Sequence, residues 1–187
     1  MMNSWKTTAG LVIAVVTALP GCVGNMRWTE DVVLADGKTI TVSREVKYEH
    51  GGDEWALNRS GTKPRSETLA IPLTTIGVIE WATTKISPRT WPEIPLVIEI
   101  EGNQPIVYTL LAISAGCEVY SKYVFRDGRW VDEPLPDKFP PRPTNLLFGN
   151  RKDLPSHVTA DEKQKRNGGG GYRAALKQAG PSKQVCG

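Results

Sequence analysis

The sequence predicts a mainly β protein: a single antiparallel sheet, a sandwich or a small open barrel, followed by short C-terminal helices. Two observations carry this prediction. Short runs that alternate apolar and polar residues are separated by turns that contain glycine beside Asp or Asn. No long stretch has apolar residues at helical spacing. A chain of 187 residues is long enough for one domain with a substantial core.

The first predicted hairpin turns at Asp36-Gly37. This pair lies between two β-favouring runs, which is a strong hairpin signal because the turn residues must accept positive φ. Residues 50–67, rich in Gly, Ser, Asn and charge, are predicted to form a long loop. A further strand is predicted over residues 75–84.

Alternation predicts two more hairpins. Residues 95–101 and 106–112 form one of them, around a turn that contains Gly-Asn. Residues 117–125 and 130–131 form the other, around Asp127-Gly128. Three hairpins of short strands favour an antiparallel architecture.

The last part of the chain is predicted to be less regular. Five prolines in residues 134–143 predict an extended exit from the last strand, and residues 145–148 are expected to dock on the domain edge. A Thr-x-x-Glu capping-box pattern predicts a short helix over residues 160–166. A second short helix is predicted over residues 172–179, after a Gly-rich linker.

An apolar run near the N-terminus has the length of an export signal. Lys6 precedes it, and residues 11–19 would rise only about 13 Å as a helix, less than half of a bilayer core of about 30 Å. The run ends in Leu19-Pro20-Gly21-Cys22. A small residue followed at once by cysteine resembles the lipobox of bacterial lipoproteins, although Pro20 departs from that pattern. The resemblance implies cleavage before Cys22 and acylation of this cysteine.

Two other interpretations of the run stay open: an ordinary signal peptide cleaved after Ala18 or Gly21, and a buried N-terminal element of a cytosolic protein. Val23 follows the cysteine, at a position where an aspartate would be expected in a lipoprotein that is not sorted to the outer membrane. By this resemblance, Val23 favours sorting to the outer membrane of a Gram-negative cell. The resemblance therefore places the protein in the bacterial cell envelope, lipid-anchored to the outer membrane and facing the periplasm. The chain is then divided into a signal peptide (1–21), a tether (22–27), a β domain (28–149) and a basic Gly-rich tail (150–187).

Charge and cysteine placement extend this picture. Residues 150–187 carry eight Lys or Arg and three Asp or Glu, so the tail is expected to contact anionic lipid headgroups, or simply to be solvated, and not to bind nucleic acid.

With Cys22 acylated, Cys117 and Cys186 remain, and an even pair in an exported protein suggests a disulfide. Its loop of about 70 residues would contribute roughly 4 kcal/mol in the chain-entropy model. The alternative is two unpaired thiols.

Few residues suit catalysis or metal binding. His50 and its acidic neighbours lack the ligand number of a zinc site, so no metal or other cofactor is expected. Neither His50 nor His157 lies in a recognisable catalytic motif. Glu99 and Glu101 alternate along a strand, which is typical of a solvent-facing side rather than of a glycosidase pair. Residues 163–172 lack the Gly-Lys-Ser/Thr ending of a phosphate loop.

Aromatic residues are the candidate partner-binding side chains. Trp91 lies in a proline-rich stretch, and Tyr120 and Trp130 lie on the third hairpin, where Tyr120 shares a face with charged neighbours and is expected to be exposed. Exposed aromatic residues on a small β domain would form a patch for a partner. The alternative is that they are core residues and cross-strand pairs.

The predicted function is a lipid-anchored envelope protein with a structural or partner-binding role, and not an enzyme. Residues 28–32 (WTEDV) and the block at 123–130 resemble features of small, uncharacterised proteobacterial envelope proteins, and this resemblance implies no activity. Two alternatives stay open. One is a periplasmic ligand-binding or enzyme-inhibitor lipoprotein, similar in size to lipoprotein lysozyme inhibitors, and the other is a hydrolase that uses Ser or carboxylate chemistry.

Overall fold

The computed structural model describes residues 24–50, 61–84, 86, 91–112, 117–135, 142–148, 151–168, 175–176 and 184–186. In these ranges the chain forms twelve strands and one helix, and the mainly β class is confirmed. In chain order they are β1 (Asn25–Val33), β2 (Thr39–His50), β3 (Thr62–Leu73), β4 (Gly77–Thr84), β5 (Ile94–Glu101), β6 (Gln104–Ala112), β7 (Cys117–Arg126), β8 (Arg129–Glu133), β9 (Arg142–Pro143), β10 (His157–Val158), α1 (Ala160–Gly168), β11 (Ala175–Leu176) and β12 (Gln184–Cys186).

Two sheets pack face to face in an open sandwich that is not closed into a barrel. Sheet A has the order β10-β1-β2-β3-β4, in which β10 pairs parallel with β1 and the other neighbours are antiparallel. Sheet B has the order β12-β7-β6-β5, and β8 also pairs with β7. β9 and β11 form a separate two-stranded sheet.

The core lies between the inner faces of the two sheets. Directly opposite residues of antiparallel strands share a face, so one face of sheet A is continuous across its strands. The apolar side chains of this face meet Ile98 and Val107 of sheet B in one buried cluster. The members from sheet A and its first turn are Val32, Leu34, Val42, Leu69, Ile71, Leu73, Ile79 and Trp81.

The three predicted hairpins are present, and their turns depend on residues that accept positive φ. Asp127 and Gly128 have φ of 53° and 77°, as a two-residue type I′ turn requires. In the first hairpin only Gly37 has a positive φ, 82°, and its amide donates to the Leu34 carbonyl at 2.9 Å. The Asp36-Gly37 hairpin therefore has a three-residue loop instead of a two-residue turn.

Residues 145–148, which we call the clasp, enter all three buried clusters of the fold. Leu146 belongs to the cluster between the sheets, and Leu147 lies in a cluster with Trp28, Val46 and Val158 of sheet A. Phe148 packs against the cluster on the outer side of sheet B. The predicted docking of residues 145–148 is confirmed, and the segment lies centrally in the fold and not at its edge.

Asn145 joins the two sheets through its side-chain amide. Its Nδ2 donates to the Val33 carbonyl at 3.1 Å and to the Ile98 carbonyl at 2.8 Å, and its Oδ1 accepts from the Ile98 amide at 2.9 Å. The end of β1 is thereby connected to the middle of β5.

Three predictions about secondary structure are corrected. The sequence predicts a loop over 50–67, but β3 begins at Thr62, because a register shift opposite Lys47 and Tyr48 accommodates Pro64 in the strand. The second predicted helix is wrong at residues 175–176, which form β11. β1 begins at Asn25, before the predicted domain start at residue 28.

The first C-terminal helix is confirmed as α1. The Glu162 amide donates to Thr159 Oγ1 at 3.3 Å, as expected for an N-cap. Lys163 and Asn167 of this helix are buried, so this part of the predicted basic tail belongs to the folded domain.

Candidate binding surfaces

The two ends of the sandwich differ in what they expose. The N-terminal end contains Gly24, the start of β1, the end of β2 and the start of β3. The turn end contains the tight turns at 74–76, 102–103 and 127–128, of which the first two are joined by a Thr75–Asn103 side-chain hydrogen bond of 2.7 Å. The nine residues of β1 separate the ends by about 30 Å.

An ionic cluster lies buried under the clasp, on the inner face of sheet A. Arg44 Nη1 is 2.9 Å from Glu30 Oε1, and Arg44 also pairs with Glu67 through Nη2. Arg151 Nη2 is 3.1 Å from Glu67 Oε1, and Lys163 Nζ is 3.3 Å from Glu30 Oε2. The side chains of Glu30 and Arg44 have no exposed surface.

The ionic cluster satisfies the peptide groups of the clasp. The Leu147 amide donates to Glu30 Oε2 at 2.7 Å, and Arg44 Nη1 donates to the Leu147 carbonyl at 2.7 Å. The amide of Asn167 bonds the backbone on either side of Leu147 at 2.8 Å. The Arg44 guanidinium also lies over the ring of Trp28, 4.9 Å from its centroid. These charges therefore support the fold and do not form an open substrate site.

Burial dominates the electrostatics of this cluster. It lowers the pKa of Arg44 to about 10, against the opposing effect of the Glu30 carboxylate. Burial also lowers the pKa of Arg151 and that of Lys163. All three cations lose favourable hydration, and their ion pairs with the carboxylates of Glu30 and Glu67 offset part of this cost.

A groove of about 390 Å³ opens at the N-terminal end. Arg151 and Lys152 line it together with Tyr48, and Gly24 and Asn25 form its border. The groove is thus next to the chain that leads back to Cys22, and Lys152 is the exposed basic residue in its lining.

A second groove, of about 530 Å³, lies at the turn end. Ile76 and Val78 line it with 52% and 69% of their surface exposed, and Phe125 is half-buried in its floor. Asn103 and Gln104 supply neutral polar groups at its rim, and Arg126 and Asp127 add one charge of each sign. Exposed apolar side chains that share one groove are typical of a site that contacts another protein.

A third cavity, of about 760 Å³, lies between α1, β5 and the end of β1. Val33, Leu34 and Val97 supply apolar lining, and Glu99 and Lys163 supply charge. An apolar cavity with a few convergent polar groups is the form expected of a small-molecule site.

The aromatic residues predicted to bind a partner do not come together. Trp91 is 39% exposed, before β5, and Trp130 is half-buried on β8, where its Nε1 donates to the Glu80 carbonyl at 2.7 Å. The expectation that Tyr120 is exposed is wrong, because it has no exposed surface. The face of β7 that carries it packs into the cluster on the outer side of sheet B, and its hydroxyl donates to Glu118 at 2.7 Å.

The carboxylates and histidines singled out in the sequence are also placed. Glu99 was expected on a solvent-facing side, but it is buried and accepts a hydrogen bond from Tyr108 at 3.4 Å, since both faces of β5 are covered there. Glu101 is exposed. His50 ends β2, and Asp53 and Glu54, the acidic residues considered with it as metal ligands, lie outside the described residues.

His157 lies between a hydroxyl and a carboxylate at the edge of sheet A. Its Nδ1 is 2.9 Å from Thr29 Oγ1, and its Nε2 is 3.3 Å from Asp31 Oδ1. The carbonyl of Ser156 accepts from both the amide and the hydroxyl of Thr29, at 2.9 and 3.2 Å. This contact set fastens β10 to β1, and the threonine hydroxyl is already engaged as a donor.

The cysteines divide into one that lies outside the described residues and two that the backbone pairs. Cys22 is outside them, as are the proline-rich residues 136–141 and the Gly-rich residues 169–174. The register of β7 and β12 places Cys117 directly opposite Cys186.

Sequence reasoning missed the ionic cluster. Its signal is nevertheless present in the strand alternation: Glu30 stands between Trp28 and Val32 in the buried phase of β1, and Arg44 stands between Val42 and Val46 in that of β2. A charge in the apolar phase of a strand indicates a buried polar contact.

Comparisons add no relative to these observations. No protein-family model matches the chain, and no curated protein or solved structure matches it either. Within the described ranges, no helix is long and apolar enough to cross a membrane. The same ranges contain no group of three or more His, Cys, Asp or Glu residues that could hold a metal ion.

Proposed function

We propose that this protein is an outer-membrane lipoprotein that holds a β sandwich at the periplasmic surface and binds an envelope partner without catalysis. The observation that carries the proposal is the run Leu19-Pro20-Gly21-Cys22, followed almost at once by β1. The same proposal places Cys117 and Cys186 in an oxidising compartment, where a disulfide is stable.

The short tether gives the sandwich an orientation. Three residue steps from Cys22 to Asn25 span at most about 11 Å, so the N-terminal end faces the membrane. Its groove then presents the exposed Lys152 to anionic headgroups, while Arg151 stays paired with Glu67. Lys152 is one of the basic residues in the tail from which a headgroup contact was predicted.

The opposite end is then free for a partner. Ile76 and Val78 lie about 30 Å from the N-terminal end. They line the turn-end groove, whose polar rim includes the oppositely charged Arg126 and Asp127. This groove fits an apolar segment of another envelope protein. It takes the place of the patch of Trp91, Tyr120 and Trp130 predicted from sequence.

The anchor is tested with wild type and a Cys22→Ala variant, expressed in a Gram-negative host and separated into membrane and soluble fractions. We expect wild type in the outer membrane, with a mature mass raised by its acyl groups. The variant should appear in the soluble fraction and lack the added mass. A matched Ser4→Ala change in the leader controls for expression. An unlipidated, soluble wild type would overturn the proposal.

The partner surface is tested with a photo-crosslinking amino acid at residue 78, and at residue 82 as the control. Ala82 is also exposed on β4 but lies away from the groove. We expect one discrete adduct from position 78 in intact cells, which disappears when Ile76→Glu is added. Equal crosslinking from both positions would contradict a specific site.

A second candidate function is ligand binding, and the cavity beside α1 is the observation that favours it. A probe such as N-phenyl-naphthylamine should bind in this cavity, and Val97→Trp, which fills it, should abolish the binding. Val78→Trp, at the turn end, is the control. Retained binding in the Val97 variant would exclude this site.

A further inference from the structure

The C-terminal strand β12 covers the part of β7 that β8 leaves open. β8 pairs with residues 122–126 of β7, and β12 pairs with residues 117–119, along the same side of the strand. An uncovered strand edge invites pairing with other chains. Three residues are a short strand, so β12 needs an additional constraint to hold this position.

Two cysteines meet at this position. In the antiparallel register Cys186 is the partner of Cys117, Val185 of Glu118 and Gln184 of Val119. Directly opposite residues share a face of the sheet, and their Cα atoms are about 4.5 or 5.5 Å apart in the two kinds of antiparallel pair. Both separations lie within the range of about 4.4–6.8 Å that a disulfide spans.

From this register we infer that Cys117 and Cys186 form a disulfide that fastens β12 to β7. Formation in the cell depends on the export that we propose, whereas the fit of the two positions depends on the fold alone. The ring that the bond closes contains β8, the clasp and α1. The bond therefore joins the two ends of the chain segment that contains the clasp, which covers the ionic cluster.

The bond forms by thiol–disulfide exchange with an oxidised thiol carrier. One cysteine thiolate attacks the carrier disulfide and releases one carrier thiol, and the second cysteine then displaces the other carrier thiol. Two cysteine thiols are oxidised, and one carrier disulfide is reduced to two thiols. Oxidised glutathione serves as the carrier in vitro.

The test uses full-length protein that carries Cys22→Ala, so that only the paired cysteines remain. After equilibration with oxidised and reduced glutathione, the protein is denatured, alkylated and digested. We expect unlabelled cysteines and a linked peptide pair that contains residues 117 and 186. Free labelling of both cysteines, or glutathione adducts on each, would overturn the inference.

Register variants provide the control. In a Cys186→Ser background, Val185→Cys places a cysteine opposite residue 118 and not 117, so closure with Cys117 should become at least tenfold less favourable. With both native cysteines replaced by Ser, Val119→Cys and Gln184→Cys should close as wild type does. Equal closure with residues 185 and 186 would show that the register does not direct the bond.

This experiment separates the inference from the proposed function. Closure in vitro together with free thiols in cells would support the register and count against export. A protein that is lipidated in cells but does not close in vitro would support the anchor and overturn the disulfide.

Discussion

The inner face of sheet A has two halves, and they are covered in different ways. The apolar half, around Leu69 and Ile71, packs against the strands of sheet B. The ionic half, around Arg44, lies under the clasp, whose backbone is irregular. Arg44 and Leu69 are direct register partners on neighbouring strands, so the change occurs within one residue pair.

The difference follows from the hydrogen bonds of the covering chain. The strands of sheet B satisfy their own peptide groups within the sheet, so they need only apolar contacts from sheet A. The clasp has no strand partner for Leu147, and its amide and carbonyl bond Glu30 and Arg44 instead. A sheet face that packs against irregular chain thus needs polar side chains to bond the peptide groups of that chain. A sheet face that packs against another sheet does not need them.

The largest effect is expected from Arg44→Met. It leaves Glu30 and Glu67 buried without their shared cation and should lower the free energy of unfolding by about 3–5 kcal/mol, measured by urea denaturation. Arg27→Ala is the control, because its 3.0 Å pair with Glu45 is largely exposed, and it should change stability by at most about 1 kcal/mol. Equal losses would contradict the burial argument.

On the apolar half, Leu69→Ala should cost about 3 kcal/mol through lost burial and a cavity. The same urea titration measures it, with Leu69→Met, which conserves volume, expected to cost less than about 1.5 kcal/mol. If both substitutions lowered the free energy of unfolding equally, the volume of the side chain would not be what stabilises the apolar half.

A fivefold change, Glu30→Leu, Arg44→Met and Glu67→Leu together with Arg151→Met and Lys163→Met, sharpens the comparison because it leaves no member of the ionic cluster without its partner. Replacing buried ions by apolar residues is often neutral or stabilising. Here it also leaves the amide and carbonyl of Leu147 unbonded, at about 1–3 kcal/mol each, so we expect a net loss of about 2 kcal/mol. A fivefold variant as stable as wild type would show that the charges serve only one another.

The smallest effect concerns Lys163. Burial lowers its pKa below the usual 10.5, so between the lowered pKa and 10.5 the unfolded chain binds more protons than the folded chain. Wild type should therefore gain stability relative to Lys163→Met as the pH rises from neutral toward 10.5. Unfolding curves at matched ionic strength measure this difference, and a constant difference across the range would contradict it.

The hairpins could be predicted because their signals are local. Asp127-Gly128 requires positive φ at both residues, and only a few residue types tolerate it. The helix start at Thr159 is equally local. The start of β3 escaped prediction because it continues a stretch rich in Gly, Ser, Asn and charge, which is typical of a loop. Only the partner strand shows the register shift that admits Pro64.

The surfaces could be predicted only in part. The lipobox resemblance at Cys22 depends only on neighbouring residues and stays a prediction, whereas the exposure of a side chain depends on what the rest of the chain covers. Tyr120 and Glu99 both alternate as exposed positions would, and both are buried because the outer side of sheet B is covered. The turn-end groove unites Ile76 with Phe125, which are far apart in sequence, so no local pattern indicates it.

The clasp also determines when the fold can be completed. Its three apolar residues enter three different clusters, and Asn167 must follow before its backbone is satisfied. During synthesis, the long strands of both sheets emerge before the clasp does. The buried clusters therefore cannot be completed until residues 145–148 follow. For a protein that we propose to be exported, this delay favours a loosely folded chain during translocation and a single cooperative folding step after it.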